Sequence, residues 1–367
     1  FEQHGWETPE TWNEFTALCE QIQSEGVQPL YFGFKDTWTC LAPWNSISVD
    51  LAPSDVCRQV NQGKTTFEKE YKEIYPEWRC TSIKQMLSVC STTVKRTKSG
   101  DTIVCWYDFM GVLCWWLSKL TNKKIKVIAI NILLKDKNTT KNKVAKYLYK
   151  KALCSNSFAA TVTTVEYGRY INEILNTKVN FTLLHDVYHQ NYTLNKRVET
   201  KVNTVFCGGR NGRDWKLLFE VAKKLPKVTF NCVMPSALKE QFLGAMGDNV
   251  CVKTDIPESE FMEFLCESQL IAMPLDTEAP AGLTVYFQAA ANNKMIITSD
   301  TVTTEGYLSD GCGALCKNTV EDWVDKIQYY LLHTNDADIC AAKFKDFLEN
   351  ECSEEKYTET LWGMLAE

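Results

Sequence analysis

From about Asp101 onward, short apolar runs alternate with segments whose apolar residues recur every three or four positions. The runs have the character of buried strands, and the segments between them that of amphipathic helices. Strands that alternate with helices pair in parallel sheets, so we predict an α/β fold with two Rossmann-like domains, the N-terminal one incomplete. The predicted strands are Thr102–Trp106, Ile125–Leu134, Phe158–Val165, Val179–Leu184, Thr204–Cys207, Val228–Met234, Val250–Lys253, Leu270–Leu275 and Met295–Thr298.

The turn after the predicted strand Leu270–Leu275 is the most informative stretch of the sequence. A polar loop leads there to Gly282, Leu283 and Thr284, which open an apolar helix. A glycine at a helix N-terminus leaves backbone N–H groups without acceptors at the positive end of the helix dipole, and this suits a phosphate. Glu278, just before the helix, could hold a sugar hydroxyl. A purely structural strand–helix turn is the alternative, because every α/β protein contains such turns.

A second turn with the same character runs from Gly208 to Asp214. Its glycines let a ligand approach the backbone, and Arg210 or Arg213 could pair with phosphate oxygens. A Gly-Gly turn between a strand and a helix is equally consistent with a structural role.

The stretch around Gly282 resembles the nucleotide-sugar motif of family 4 glycosyltransferases of the GT-B fold. That motif is an acid, then Pro-x-Gly-Leu-Thr, then a second acid followed by Ala-x-Ala. Here the matching residues are Glu278, Pro280 to Thr284, and Gln288 before Ala289-Ala290-Ala291. The strand, Gly-Gly turn and Arg-Asp pair from Thr204 to Asp214 are similar to the opening of the same family's C-terminal domain.

The resemblance implies transfer of a sugar from a nucleoside diphosphate sugar to a carbohydrate or lipid-linked acceptor. It further implies retention of the anomeric configuration and no metal or other cofactor. Glu278 would lie beside the donor sugar, the backbone of Gly282, Leu283 and Thr284 would hold the diphosphate, and Arg213 or Arg210 would face it.

Two positions depart from the family's pattern. Gln288 stands where the second, ribose-binding acid is expected, and a neutral amide binds hydroxyls less strongly than a carboxylate does. Asn131 follows the strand after which many members carry a histidine near the donor sugar, and asparagine cannot act as an acid or base. Both departures favour an alternative, an inactive α/β scaffold that binds a nucleotide or a partner.

Residues 1–74 differ in character, and we predict that they form an extra α/β segment before the two domains. This segment resembles part of an extracellular sugar-binding protein of ABC transporters. The likeness rests on three short stretches, Pro9–Phe15, Gly26–Leu30 and Gly33–Asp36. It implies sugar binding, with Trp38 or Trp44 as stacking residues, as a further alternative function. Two incomplete resemblances that meet near residue 74 indicate a fused reading frame, which sequencing the gene across the junction would test. The chain begins with Phe1, so we expect its true N-terminus to be missing.

We predict four parts of the chain from these changes of character. They are the N-terminal segment at 1–74, an incomplete acceptor domain at 75–200, a donor domain at 201–350 and a C-terminal helix at 351–367.

Composition and charge narrow the possible partners and the compartment. The 367 residues are 45% hydrophobic and 23% charged with a net charge of −6, which gives no overall attraction to nucleic acid. Sixteen scattered cysteines and only four histidines predict free thiols in a reducing cytoplasm and no metal site. Eleven lysines and one acid lie between Lys119 and Lys151. They predict either a solvated face or peripheral contact with anionic lipid on the inner face of the membrane.

Overall fold

The computed structural model describes residues 82–366 except 137, 190 and 191, together with the isolated positions Ala17 and Gln21. The predictions for the N-terminal segment, including its sugar-binding resemblance, its tryptophans and the fusion near residue 74, therefore lie outside the described residues. Helices and strands are numbered here from residue 82 onward.

The first half of the described chain builds a four-stranded parallel sheet in the order β1-β2-β3-β4. Helix α2 packs closely on β2, since a Cβ at Gly111 would lie 3.1 Å from the Cβ of Ala129. The elements are α1 (Ile83–Arg96), β1 (Thr102–Cys105), α2 (Asp108–Leu120), β2 (Lys126–Ala129), α3 (Thr140–Leu153), β3 (Phe158–Val162), α4 (Val165–Leu175) and β4 (Thr182–Leu183).

The second half builds a six-stranded parallel sheet in the order β10-β9-β8-β5-β6-β7. The elements are β5 (Thr204–Gly208), α5 (Trp215–Lys224), β6 (Thr229–Met234), α6 (Ser236–Phe242), β7 (Val250–Thr254), α7 (Glu258–Cys266), β8 (Leu270–Met273), α8 (Leu283–Ala291), β9 (Met295–Ser299), α9 (Val302–Leu308), β10 (Ala314–Cys316), α10 (Val320–Leu332), α11 (Thr334–Glu351) and α12 (Glu354–Ala366).

The strand order of the second sheet places a crevice at its centre. From β5 the chain builds outward through β6 to β7, then returns to β8 on the other side of β5 and builds outward through β9 to β10. The segments that follow β5 and β8 thus leave neighbouring strands toward opposite sides. Ligands of open α/β sheets bind in such a crevice, outside the carboxyl ends of the strands.

The structure confirms an α/β fold with two parallel sheets. It also corrects several predicted elements. Strand β2 ends at Ala129 and not at Leu134, because Asn131 has a left-handed backbone (φ 46°) that turns the chain out of the sheet. The strand predicted to begin at Val179 is reduced to two residues, Thr182 and Leu183. Helix α9 and strand β10 were not predicted, since both are short and lack a clear apolar period.

The segments that follow the strands of the two sheets contact one another. A Cβ at Gly306 in α9 would lie 2.5 Å from the Cβ of Thr164, which caps the N-terminus of α4. Ala279, in the loop after β8, packs into the hydrophobic core of the first half. The last helix returns to the first sheet, where the Lys126 ammonium donates to the carbonyl of Met364 at 2.8 Å. The carboxyl end of the first sheet therefore lies next to the crevice of the second sheet.

Candidate functional site

The N-terminus of α8 opens into the crevice with free backbone donors. Gly282 precedes the helix with φ 83°, and its carbonyl accepts the N–H groups of Val285 and Tyr286. No acceptor for the N–H groups of Leu283 or Thr284 lies within the described part of the chain. The first turn therefore presents donors and the positive end of the helix dipole to an anion.

Arg213 lies against this helix end. Its side chain is buried, with 8% exposed, and its Nε and Nη1 groups donate to the carbonyls of Gly208 at 2.9 Å and Asn211 at 3.0 Å. A Cβ at Gly282 would lie 2.9 Å from Nη2 of Arg213, so only glycine lets the guanidinium approach the helix so closely.

The Arg213 guanidinium is a buried cation without an ion pair. Burial lowers the pKa of Arg213 from its ordinary value, yet an arginine remains protonated in proteins. Among the residues that the structure describes, no Asp or Glu oxygen lies within 4.0 Å of it. A buried charge with unfilled donors next to an open helix end is suited to an anion.

Two backbone hydrogen bonds join the loops after β5 and β8 into one unit. The N–H of Asp214 donates to the carbonyl of Pro274 at 2.9 Å, and the N–H of Asp276 donates to the carbonyl of Gly212 at 3.1 Å. Arg210 lies on the same loop as Arg213 but is exposed. The structure therefore brings the two predicted phosphate turns together and distinguishes the two arginines by burial.

Glu278 lies in the loop between β8 and α8, where its carboxylate caps another helix. Its Oε2 accepts the N–H of Val302 at 2.9 Å, at the start of α9, and its main-chain carbonyl accepts the hydroxyl of Thr303 at 2.7 Å. Oε1 makes no hydrogen bond within the described part of the chain. Glu278 is thus held firmly with one carboxylate oxygen still available.

Gln288 lies on α8 one turn after Thr284 and is buried, with 4% exposed. Its side-chain Nε2 donates to Oε1 of Glu258, the first residue of α7, at 3.4 Å. The carboxylate of Glu258 thus lies beside Gln288, the amide that replaces the acid expected from the family's motif.

Asn131 lies on the opposite side of the crevice, at the carboxyl end of β2. Its side-chain Nδ2 donates to Oδ1 of Asp186 at 3.0 Å, and its Oδ1 accepts the hydroxyl of Thr161 at 2.9 Å. Both ends of the amide are therefore occupied by other residues of the first half. The hydrogen bonds of Asn131 do not include any of the predicted donor-site residues of the second half.

Asp186 has a pKa raised from its ordinary value of 3.8 to about 6, because burial disfavours its charge more than the Asn131 hydrogen bond favours it. The folded chain therefore keeps a proton on Asp186 between these two values, where the unfolded chain has released it. The stability that this proton provides is present below the unfolded pKa and is lost as the pH rises to about 6.

Asp186→Asn removes this dependence on pH. The free energy of unfolding of the variant, relative to the wild type, is expected to increase by roughly 2–3 kcal/mol between about pH 4 and about pH 7. Urea unfolding at several pH values measures this difference. A difference that stays constant over the range would show that Asp186 is ionised in the folded protein.

Two residues near the site were not predicted from the sequence. Asp186 lies in a segment without a recognisable motif. Its neighbour His185 packs against the rings of Tyr307 and Phe347, and burial lowers the pKa of His185. Glu258 lies in an ordinary Pro-Glu helix start, so only its contact with Gln288 distinguishes it.

Three further observations concern metals, membranes and cysteines in the described part of the chain. No group of three or more His, Cys, Asp or Glu residues there could hold a metal ion. No helix within residues 82–366 is both long enough and apolar enough to span a bilayer. The cysteines that the structure describes are free thiols, and most are buried.

Comparison with known proteins identifies the fold. TarM shares 17% identity at a TM-score of 0.60, over 77% of this chain and 58% of its own. Sucrose-phosphate synthase from Thermosynechococcus elongatus shares 13% identity at a TM-score of 0.61, over 72% of this chain and 73% of its own. HepE from Anabaena, in complex with UDP and glucose, shares 11% identity at a TM-score of 0.60, over 77% of this chain and 81% of its own.

The fold is GT-B. Residues 210–361 also match the family model described as glycosyl transferase-like. No curated protein matches the chain in sequence. This GT-B chain spans 58% of the length of TarM. The family match covers the whole predicted donor site from Arg210 to Gln288, whereas Asn131 lies outside it.

Proposed function

We propose that this chain transfers a sugar from a nucleoside diphosphate sugar to a carbohydrate or lipid-linked acceptor, with retention of configuration and without a metal cofactor. The observation that carries the proposal is the unpaired, buried guanidinium of Arg213 against the open N-terminus of α8. This arrangement lies in the central crevice of a GT-B fold, within the segment that matches the glycosyl transferase-like model.

The diphosphate would bind beside Arg213, on the crevice side of the N-terminus of α8. The N–H groups of Leu283 and Thr284 would donate to its oxygens, together with the free guanidinium N–H groups. When the bond to the sugar breaks, negative charge develops on the diphosphate. Donors that are already aimed at this position stabilise that charge without reorganising. Arg210, being exposed, would add attraction to the approaching nucleotide.

The sugar would lie between the two halves, beside Glu278. The free carboxylate oxygen of Glu278 would accept a hydrogen bond from a sugar hydroxyl and stabilise positive charge at the anomeric carbon. Asn131 would face the same space from the first half, where the second hydrogen of its Nδ2, which Asp186 does not accept, would position the donor or the acceptor. Gln288 would lie at the ribose. The family 4 assignment stays a prediction.

Calorimetric titration of the purified chain with UDP and with GDP, without added metal, tests the proposal. We expect one of the two to bind at one site per chain, and the corresponding nucleotide sugar to be consumed when acceptors are screened. A folded chain that binds neither nucleotide would refute the proposal. Binding without release of nucleotide from any sugar donor would favour the inactive scaffold, which the occupied side chain of Asn131 also supports.

Contact with an anionic membrane surface is a proposal that concerns helix α3. Val144 and Tyr147 are 54% and 56% exposed on this helix, and Lys151 lies over the ring of Tyr147 at 5.9 Å. Exposed apolar groups flanked by lysines suit the inner, anionic leaflet of a membrane next to the cytoplasm. Co-sedimentation with phosphatidylserine vesicles tests the contact, and equal sedimentation with neutral vesicles would contradict it.

A further inference from the structure

The contact between Gln288 and Glu258 joins two helices at the edge of the crevice. Gln288 is buried on α8, while Glu258 is exposed at the start of α7, and the amide Nε2 lies 3.4 Å from the carboxylate Oε1. The buried amide therefore holds the exposed carboxylate in place at the rim.

Glu258 differs from the three glutamates that follow it, each of which has a lysine partner. Glu260 pairs with Lys253, Glu263 with Lys196 and Glu267 with Lys201. No such ion pair involves Glu258 among the residues that the structure describes. Within the described part of the chain, its side chain hydrogen-bonds to the neutral amide of Gln288, and the carboxylate can accept further hydrogen bonds from a ligand.

Helix geometry gives the position of Gln288 relative to the anion pocket, which is the group of free donors on Arg213, Leu283 and Thr284. Thr284 and Gln288 lie four residues apart on one face of α8, a rise of about 6 Å along the axis. In a nucleoside diphosphate, one methylene joins the ribose ring to the phosphate. With the diphosphate at Leu283 and Thr284, the ribose hydroxyls would thus extend about one helical turn beyond it, toward Gln288 and Glu258.

A second contact places the start of α7 beside the same pocket. The ring of Phe261, one turn after Glu258, covers the last residue of β5, where a Cβ at Gly208 would lie 2.6 Å from the Cε2 atom of Phe261. Gly208 is the residue whose carbonyl accepts from Arg213. The first turn of α7, which carries Glu258, is therefore held near Arg213 by contacts with both α8 and the end of β5.

We propose that Glu258 supplies the carboxylate that binds the ribose 2′- and 3′-hydroxyls, and that Gln288 positions it. A carboxylate accepts hydrogen bonds from both hydroxyls of a cis-diol. A single neutral amide oxygen forms weaker hydrogen bonds with the same hydroxyls. The site therefore selects a ribonucleoside diphosphate over its 2′-deoxy counterpart. This inference rests on the proposed function, since it requires the diphosphate to occupy the pocket at α8.

Titration of three proteins with UDP and 2′-deoxy-UDP, and with the matching guanine pair, tests the inference. The proteins are the wild type, Glu258→Gln and, as a matched control, Glu260→Gln from the same helical turn. The wild type is expected to bind the ribonucleotide at least about tenfold more tightly than the deoxynucleotide. Glu258→Gln should weaken ribonucleotide binding about tenfold or more and bind both forms equally. Glu260→Gln should behave as the wild type.

The control separates ribose binding from a structural role. An acid in the first turn of a helix also stabilises the helix dipole, and that role would lower the unfolding temperature in both variants without altering ribose discrimination. If the wild type binds and Glu258→Gln keeps its affinity and its discrimination, the inference is overturned while the proposed function stands. If the folded wild type binds none of the nucleotides, the proposed function fails and the inference fails with it.

Discussion

Arg213→Ala is expected to weaken binding of the nucleoside diphosphate by about 100-fold or more. The guanidinium is buried and has no carboxylate partner among the residues that the structure describes, so the diphosphate would supply the counter-charge. Without the cation, the phosphate would enter a partly desolvated pocket with only backbone donors to compensate its charge. Titration calorimetry with UDP and GDP measures the loss.

Stability must be measured beside affinity for this variant. Arg213 also donates to the carbonyls of Gly208 and Asn211, so alanine leaves both without a partner and is expected to cost about 1–3 kcal/mol of folding free energy. Arg213→Lys keeps the charge and loses the planar fork, so intermediate affinity is expected.

Arg210→Ala is the matched control, since Arg210 lies three residues earlier on the same loop but is exposed. Its removal is expected to change affinity by no more than about threefold, because exposed charge pairs contribute little. Wild-type affinity in a folded Arg213→Ala protein would place the diphosphate elsewhere.

Glu278→Gln is expected to lower turnover by about 100-fold or more while affinity for the nucleoside diphosphate changes by less than about threefold. The carbonyl oxygen of glutamine still accepts the N–H of Val302, so the start of α9 keeps its cap. What disappears is the negative charge beside the sugar, where positive charge develops during transfer. Initial rates of nucleotide release from the donor sugar, with titration of UDP or GDP, measure the two effects separately.

Two comparisons show whether the charge or the cap matters. Glu278→Ala removes both and is expected to lose about 1 kcal/mol of stability in addition. Glu305→Gln removes an exposed charge from α9, the helix that Glu278 caps, and should leave turnover unchanged. Wild-type turnover in Glu278→Gln would exclude a catalytic role for the carboxylate and leave it as a helix cap.

The sequence by itself determined the fold class and the two turns of the candidate site. Apolar runs such as Val228–Met234 and helical periods such as that of Phe109–Leu120 are local patterns, so they identify strands and helices without knowledge of the fold. The motif around Gly282 is local as well, because a glycine that opens a helix and the residues that follow it are neighbours in the chain. The domain boundaries remain predictions.

Only the tertiary structure decided which residues share the site. Arg213 meets Gly282 because β5 and β8 are neighbours in the sheet, although the two residues are far apart in sequence. Burial then distinguishes Arg213 from Arg210. The sequence does not distinguish them, because both arginines lie on the same loop. The predicted strand through Leu134 ends earlier because the left-handed backbone of Asn131 turns the chain out of the sheet, and the hydrogen bonds of Asn131 to Thr161 and Asp186 stabilise that turn. Such contacts depend on strand order and helix packing, and no local pattern of side chains encodes either. The pairing of Glu258 with Gln288 is of the same kind.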